Sequence, residues 1–175
     1  MYLGMITQIG TIPRPGEIKM RREQMIRALR KEDKDMFVAM VKDFYTSDAV
    51  LHDIPAENVL KTYSEIISGS PYVKAYMIEA RGETAGYGLI SLTFSNEAGG
   101  LVVWIEELYI RESFRGLGLG GQFLDFIQTE FSDKAKRFRL EMTKTNHSAK
   151  RLYSNKGYTS LEYLQMVHDV ENHQS

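Results

Sequence analysis

The chain has 175 residues, with 22 Lys and Arg against 23 Asp and Glu for a net charge of −1; this is the size and charge of one compact domain with an ordinary surface, not of a dedicated nucleic-acid binder. Its 43% hydrophobic and 11% aromatic residues can bury enough apolar area to offset chain ordering, which excludes a disordered or fibrous chain. There is no cysteine, so disulfides, thiolate metal sites and a covalent Cys-bound intermediate are ruled out.

Residues 1–24 hold two of the four prolines and carry neither a helical nor a strand period. They read as an N-terminal arm ahead of a domain spanning 25–175, with an added strand one of its open readings. The opening MYLGMITQIG lacks a basic region before a sustained apolar stretch, and no apolar run approaches the roughly 20 residues of a membrane helix, so a cytoplasmic location without membrane contact is expected.

Residues 25–30 suit a first strand. Phe37, Met40, Val41 and Phe44 then recur at helical spacing, and a second helix opens at Pro55, carries Val59, Tyr63, Ile66 and Ile67, and stops at Ser68-Gly69-Ser70-Pro71. Strand-like runs over 72–80, 84–94 and 101–110 are joined by loops short enough for an antiparallel meander. Leu124, Ile127 and Phe131 mark a helix that begins in a glycine-rich turn, and 137–142 is a further strand, so the strand, helix, strand order implies a parallel crossover. Ser148 is placed to cap a short helix bearing Ala149, Leu152 and Tyr153, ended by Gly157, with 158–163 and 164–170 as late strands.

The turn Arg115-Gly116-Leu117-Gly118-Leu119-Gly120-Gly121 lies between a strand and a helix. Glycines there let backbone N–H groups approach an anion closely, and the helix N-terminus adds unpaired donors, so a pyrophosphate is the expected guest. Gly116-x-Gly118-x-x-Gly121 also satisfies the dinucleotide fingerprint, with Glu141 about 20 residues on as the ribose-holding acid. Five residues separate Ile110 from Gly116, however, and too few strand and helix alternations follow for a doubly wound sheet. No Gly-Lys-Ser/Thr is present for a nucleotide P-loop.

The text from Trp104 onward, WIEELYIRESFRGLGLGGQFL and then TKTNHSAKRLYSNKGY, resembles the GNAT superfamily of N-acetyltransferases. The family's Arg/Gln-x-x-Gly-x-Gly/Ala signature is Arg115-x-x-Gly118-x-Gly120 in this chain, followed by Asn146, Ala149, Leu152, Tyr153, Gly157 and Tyr158 in family order. The resemblance is specific over 101–158. It implies the α/β acyl-CoA N-acyltransferase fold: a mixed, mostly antiparallel twisted sheet of about six to seven strands with flanking helices and a central splay. It also implies acetyl-CoA as co-substrate, its pyrophosphate on the amides of Arg115 to Gly121 and its pantetheine arm along Leu108, Tyr109 and Ile110 like an added strand.

By the same resemblance Tyr153 is the acid that protonates the leaving thiolate, and Asn146 bonds the pantetheine arm or caps the helix. An alkylamine is nearly all protonated at pH 7, so a base is needed. Glu106 and Glu107 are adjacent, and strict alternation lets only one face a shared site; the family position selects Glu106, with the parity of Leu108 and Ile110, and leaves Glu107 as the alternative base or a substrate contact. Without cysteine, direct transfer in a ternary complex is expected.

Acceptor recognition falls, by resemblance, to residues 43–57, inside a stretch from Glu32 to Glu57 with seven acids against two lysines. Phe44, Tyr45 and Asp48 suit a small cationic amine, and His52 reads as a loop histidine. The basic stretch 134–156, Lys150 and Arg151 included, reads either as a solvated helix face or as the surface that meets the 3′-phosphate of the donor. No histidine spacing suggests a metal. A peptide or protein amine and a non-catalytic acyl-CoA-binding module are the rival readings. The late strands either close the sheet or pair across a homodimer.

Overall fold

The structure is a computed structural model that describes residues 18–20, 24–47, 50 and 52–170. Strand β1 (Ile18–Met20) pairs antiparallel with β2 (Gln24–Ala28), Ile18 opposite Ile26. The sheet therefore begins inside the segment expected to be an arm, whose other residues, 1–17 and 21–23, lie outside the described ones. Helices α1 (Lys34–Tyr45) and α2 (Ala56–Ile67) follow, the second directly after Pro55. The meander β3 (Val73–Ala80), β4 (Glu83–Ser95) and β5 (Gly100–Ile110) comes next. Helix α3 (Leu119–Glu130) carries the chain over to β6 (Ala135–Leu140), which pairs parallel with β5, as the strand, helix, strand order implies. Helix α4 (His147–Asn155) closes the regular structure, and the described strands form one six-stranded sheet in sequence order.

Period-two alternation divides the core between the two sheet faces. On β3, Tyr76 and Ile78 pack with Phe123, Leu124, Phe126 and Ile127 of α3, whereas Ala75 and Met77 pack with Phe37, Met40, Val41 and Phe44 of α1. The α3 layer depends on Gly88, because a Cβ there would stand 2.1 Å from the Phe123 ring. Below α1, Arg27 is only 7% exposed; its Nε donates to Glu79 at 2.6 Å and its two terminal nitrogens to Asp33 at 2.7 and 2.8 Å. This pair ties β2 and β3 to the turn that starts α1.

Two local expectations change. Helix α4 begins at His147, so the capping position belongs to Asn146, whose Oδ1 accepts the Ala149 N–H at 3.0 Å, and Ser148 sits inside the helix. Residues 158–170 form no strand. They do not join the outer edge of β6, and their apolar side chains are uncovered, with Leu164 and Met166 each 94% exposed. The six strands are thus at the lower end of the expected count.

Candidate active site

Strands β5 and β6 pair only from Leu101–Ala135 to Ile105–Leu140. Beyond that rung β5 continues to Ile110 and leaves a free backbone edge over 106–110. A cavity of about 1150 Å³ opens there, between the end of α1, the exposed end of β5, the start of α3 and the first turns of α4. Among the expected residues, Phe44, Glu106, Leu108, Tyr109, Ile110, Arg115, Gly120, Asn146 and Tyr153 all line it.

The glycine turn takes the form its composition requires. Gly116 and Gly118 have φ of +79° and +76°, and Gly118 is the N-cap of α3. Side chains with a Cβ are strained in that left-handed region, so these glycines turn the chain and leave the first α3 amides without helical acceptors. The Arg115 Nε bonds back to the Ile110 carbonyl at 3.2 Å, which clasps the end of β5 to the turn. Gly116, Leu117, Gly118, Leu119 and Gly121 lie next to the cavity wall rather than in it; Leu119 and Gly121 are buried as α3 packs down.

The two glutamates are sorted by a β-bulge. Leu89 pairs with Glu107 and Ile90 with Ile105, so Glu106 is the extra residue on β5. Alternation fails across the bulge. The Ser91 hydroxyl donates to Glu106 at 2.5 Å and the Tyr87 hydroxyl to Glu107 at 2.6 Å, and Tyr87, Leu89 and Ser91 share one face of β4. Both carboxylates therefore emerge on the α1 side, opposite to Leu108 and Ile110, which pack on the α3 side. The parity expected of Glu106 does not hold, yet burial separates the pair as alternation was expected to do. Glu106 is exposed to the cavity, whereas Glu107 is 7% exposed, with Tyr45 Oη donating to its other oxygen at 2.9 Å. Burial, and then the nearby Glu106 charge, push the Glu107 carboxyl up against the opposing tyrosine hydrogen bonds.

Glu107 and Tyr45 thus sit behind the cavity wall, while Phe44 is on it. Asp48 lies outside the described residues. Tyr153, on α4, is half-buried with its ring 6.0 Å from that of Tyr158; burial, then Tyr158, push its phenol above 10, so it stays protonated at neutral pH. Lining residues that the sequence did not flag singly include Thr46, Ser47, Thr145 and His147. Glu141, the residue after the last β6 position, also lines the cavity. Its spacing had suggested only the ribose role of a dinucleotide site.

The acetyltransferase (GNAT) family model matches residues 28–158. The chain belongs to this family. It is therefore an N-acetyltransferase whose acyl donor is acetyl-CoA. Among solved structures, a "possible acetyltransferase" from Clostridium difficile 630 is 17% identical, with 86% of this chain and all of that chain covered and a TM-score of 0.71. The aminoglycoside enzyme AAC(6')-Iy, in complex with the bisubstrate analogue CoA-S-monomethyl-acetylneamine, is 17% identical over 84% of this chain and 98% of that one, TM-score 0.70. A ribosomal-protein-alanine N-acetyltransferase from Brucella melitensis biovar Abortus 2308 is 14% identical over 85% and 100%, TM-score 0.66. These likenesses carry the fold. No curated protein matches the chain.

The residues present fit the donor. The free β5 edge over 106–110 offers main-chain hydrogen bonds to an extended pantetheine, and Arg115 and Gly120 bring the glycine turn that starts α3 to the wall of the same cavity. No group of three or more His, Asp or Glu among the described residues is arranged to hold a metal ion.

Proposed function

We propose that this protein is a cytoplasmic enzyme that acetylates the primary amine of a small cationic molecule directly, with donor and acceptor bound together. The single observation that carries this reading is that Glu106, the β5 edge at Leu108–Ile110 and Tyr153 line one cavity. Acetyl-CoA supplies the activated acyl group. Main chain of Leu108 to Ile110 holds its arm, the amides from Arg115 to Gly121 hold its pyrophosphate, and Asn146, already capping α4, lies beside that path. An N–H near Leu108 faces the developing oxyanion, a type of contact worth about 3 kcal/mol. Glu106, steadied by Ser91, takes the amine proton directly or through water, and Tyr153 gives its phenolic proton to the departing sulfur.

The acceptor enters on the α1 side. There the cavity wall combines Phe44 with the hydroxyls of Thr46 and Ser47 and the Glu106 carboxylate, a surface suited to a short cation with an apolar stem. Substitution within residues 43–57 is expected to change acceptor choice while leaving the donor site intact. The exposed apolar strip from Leu161 to Val170 is the surface we assign to a homodimer contact. Removing residues 161–175 is expected to turn a dimer into a monomer by light scattering, and an unchanged mass would remove that assignment.

The deciding experiment is an acceptor screen that detects released CoA thiol across diamines, aminoglycosides, amino acids and short peptides. Turnover confined to small cationic amines supports the proposal. Turnover confined to peptide N-termini would replace it, and CoA binding with no turnover on any amine would point to a binding module.

A further inference from the structure

The last rung between the parallel strands β5 and β6 joins Ile105 to Leu140. The next residue in each segment is a glutamate, Glu106 within β5 and Glu141 just past the end of β6, and both line the cavity. Ile105 and Leu140 both pack on the α3 side, and the two glutamates follow them where the strands part, close enough for the charge of one to act on the other. Neighbouring like charges on adjacent strands destabilise a sheet, and the repulsion is felt here: burial and then the Glu106 charge push the Glu141 carboxyl up, with Arg139 opposing. Arg139 does not cancel the pair, because its guanidinium stacks over the Trp104 ring at 4.2 Å and forms no ion pair with Glu141. Among the described residues the Glu141 carboxylate has neither a hydrogen bond nor an ion-pair partner, whereas Glu106 has Ser91.

The donor site gives no use for a second carboxylate at this position, since a pyrophosphate repels it and a neutral thioester offers it no donor or positive charge. A cation relieves the repulsion, and one placed between two carboxylates gains twice. We propose that Glu141 is a specificity-determining residue that holds a second positive centre of the acceptor, so that the enzyme selects short diamines over monoamines. The inference rests on the small-cation reading above and deepens it. Glu106 meets the reacting nitrogen, and Glu141 meets an ammonium or guanidinium whose distance from it follows from adjacent strands about 4.8 Å apart with side chains that diverge, on the order of 5–8 Å.

The test compares 1,4-diaminobutane with 4-aminobutan-1-ol, equal in length but with a hydroxyl in place of the second ammonium. The intact protein should prefer the diamine in kcat/KM by about tenfold, the size of one charge-assisted contact. Glu141→Gln should bring the ratio close to one by raising KM for the diamine, and Glu141→Lys should invert it. Unchanged CoA affinity in both variants, measured by calorimetry, certifies the fold. Equal use of the two amines by the parent, or a ratio that survives Glu141→Gln, overturns this inference and leaves the small-cation reading standing. Acetylation of neither amine by a parent protein that binds CoA also overturns this inference, while the small-cation reading is overturned separately, by turnover confined to peptide N-termini in the wider acceptor screen.

Discussion

The roles we propose give Tyr153 and Glu106 opposite tasks with a proton, and their surroundings differ accordingly. Tyr153 is half-buried beside Tyr158, and burial holds its proton in place across the neutral range; a group meant to donate must keep its proton until the sulfur leaves. Tyr153→Phe is expected to lower kcat by about 10²-fold with CoA affinity intact. A steady-state assay beside a CoA titration checks this, and an unchanged kcat removes Tyr153 from the acid role. Because burial pushes its phenol up from the ordinary value, no fall in rate across the neutral range should be traceable to Tyr153. Glu106 is the exposed member of its pair, open to the cavity and hydrogen-bonded on one oxygen. Glu106→Gln should lower kcat/KM and move the pH profile upward, since free amine must then come from solution. A profile that overlays the parent's would show that another group takes the proton.

At the scale of elements, most of the architecture was legible because periodicity and punctuation agreed. Phe37, Met40, Val41 and Phe44 recur on one face and are the residues α1 buries, and Pro55 and the Ser68–Pro71 run bracket α2. What the sequence did not show was pairing. Nothing local marks a bulge, so alternation sent Glu106 and Glu107 to opposite faces, whereas the extra residue on β5 brings them out on the same one. Apolar runs after Gly157 look like strands until one asks which edge they join, and none of the described edges takes them. Glu141 was hidden for a related reason: its meaning comes from Glu106 on another strand. Gly88 likewise looks like any strand glycine, although its missing Cβ is what lets α3 seat Phe123 against β4. Gly88→Ala should cost about 1–3 kcal/mol through overpacking and lower Tm by several degrees. Adding Phe123→Leu should recover part of the loss, and a double variant no more stable than the single one would place the cost elsewhere.

For the whole molecule, two carboxylates, the half-buried Asp33 and the buried Glu107, respond to pH in opposite senses. Asp33 is pushed up by burial, but its hydrogen bonds from Arg27 and the Arg30 amide, with the charges of Arg27 and Arg30, win and hold it below 3.8. A carboxyl depressed in the folded state adds stability above its unfolded pKa and loses it as pH falls. Glu107 is the reverse case, raised from 4.5 mainly by burial between Tyr45 of α1 and Tyr87 of β4. The folded state binds that proton more tightly than the unfolded chain. Its share of stability is therefore complete below about 4.5 and is lost as pH rises through the folded value. The carboxylate that couples the helical layer to the sheet thus weakens the fold as it ionises. Urea unfolding of the parent and of Glu107→Gln between pH 4 and 8 measures this. Glutamine changes the hydrogen bonds by an amount that does not vary with pH, so the slope of the difference, not its offset, carries the information. The parent should lose stability relative to the variant as pH rises above 4.5. A difference that stays level across the range would mean that Tyr45 and Tyr87 already compensate fully for burial of the charge, and Glu107 would then be an ordinary ionised hydrogen-bond acceptor.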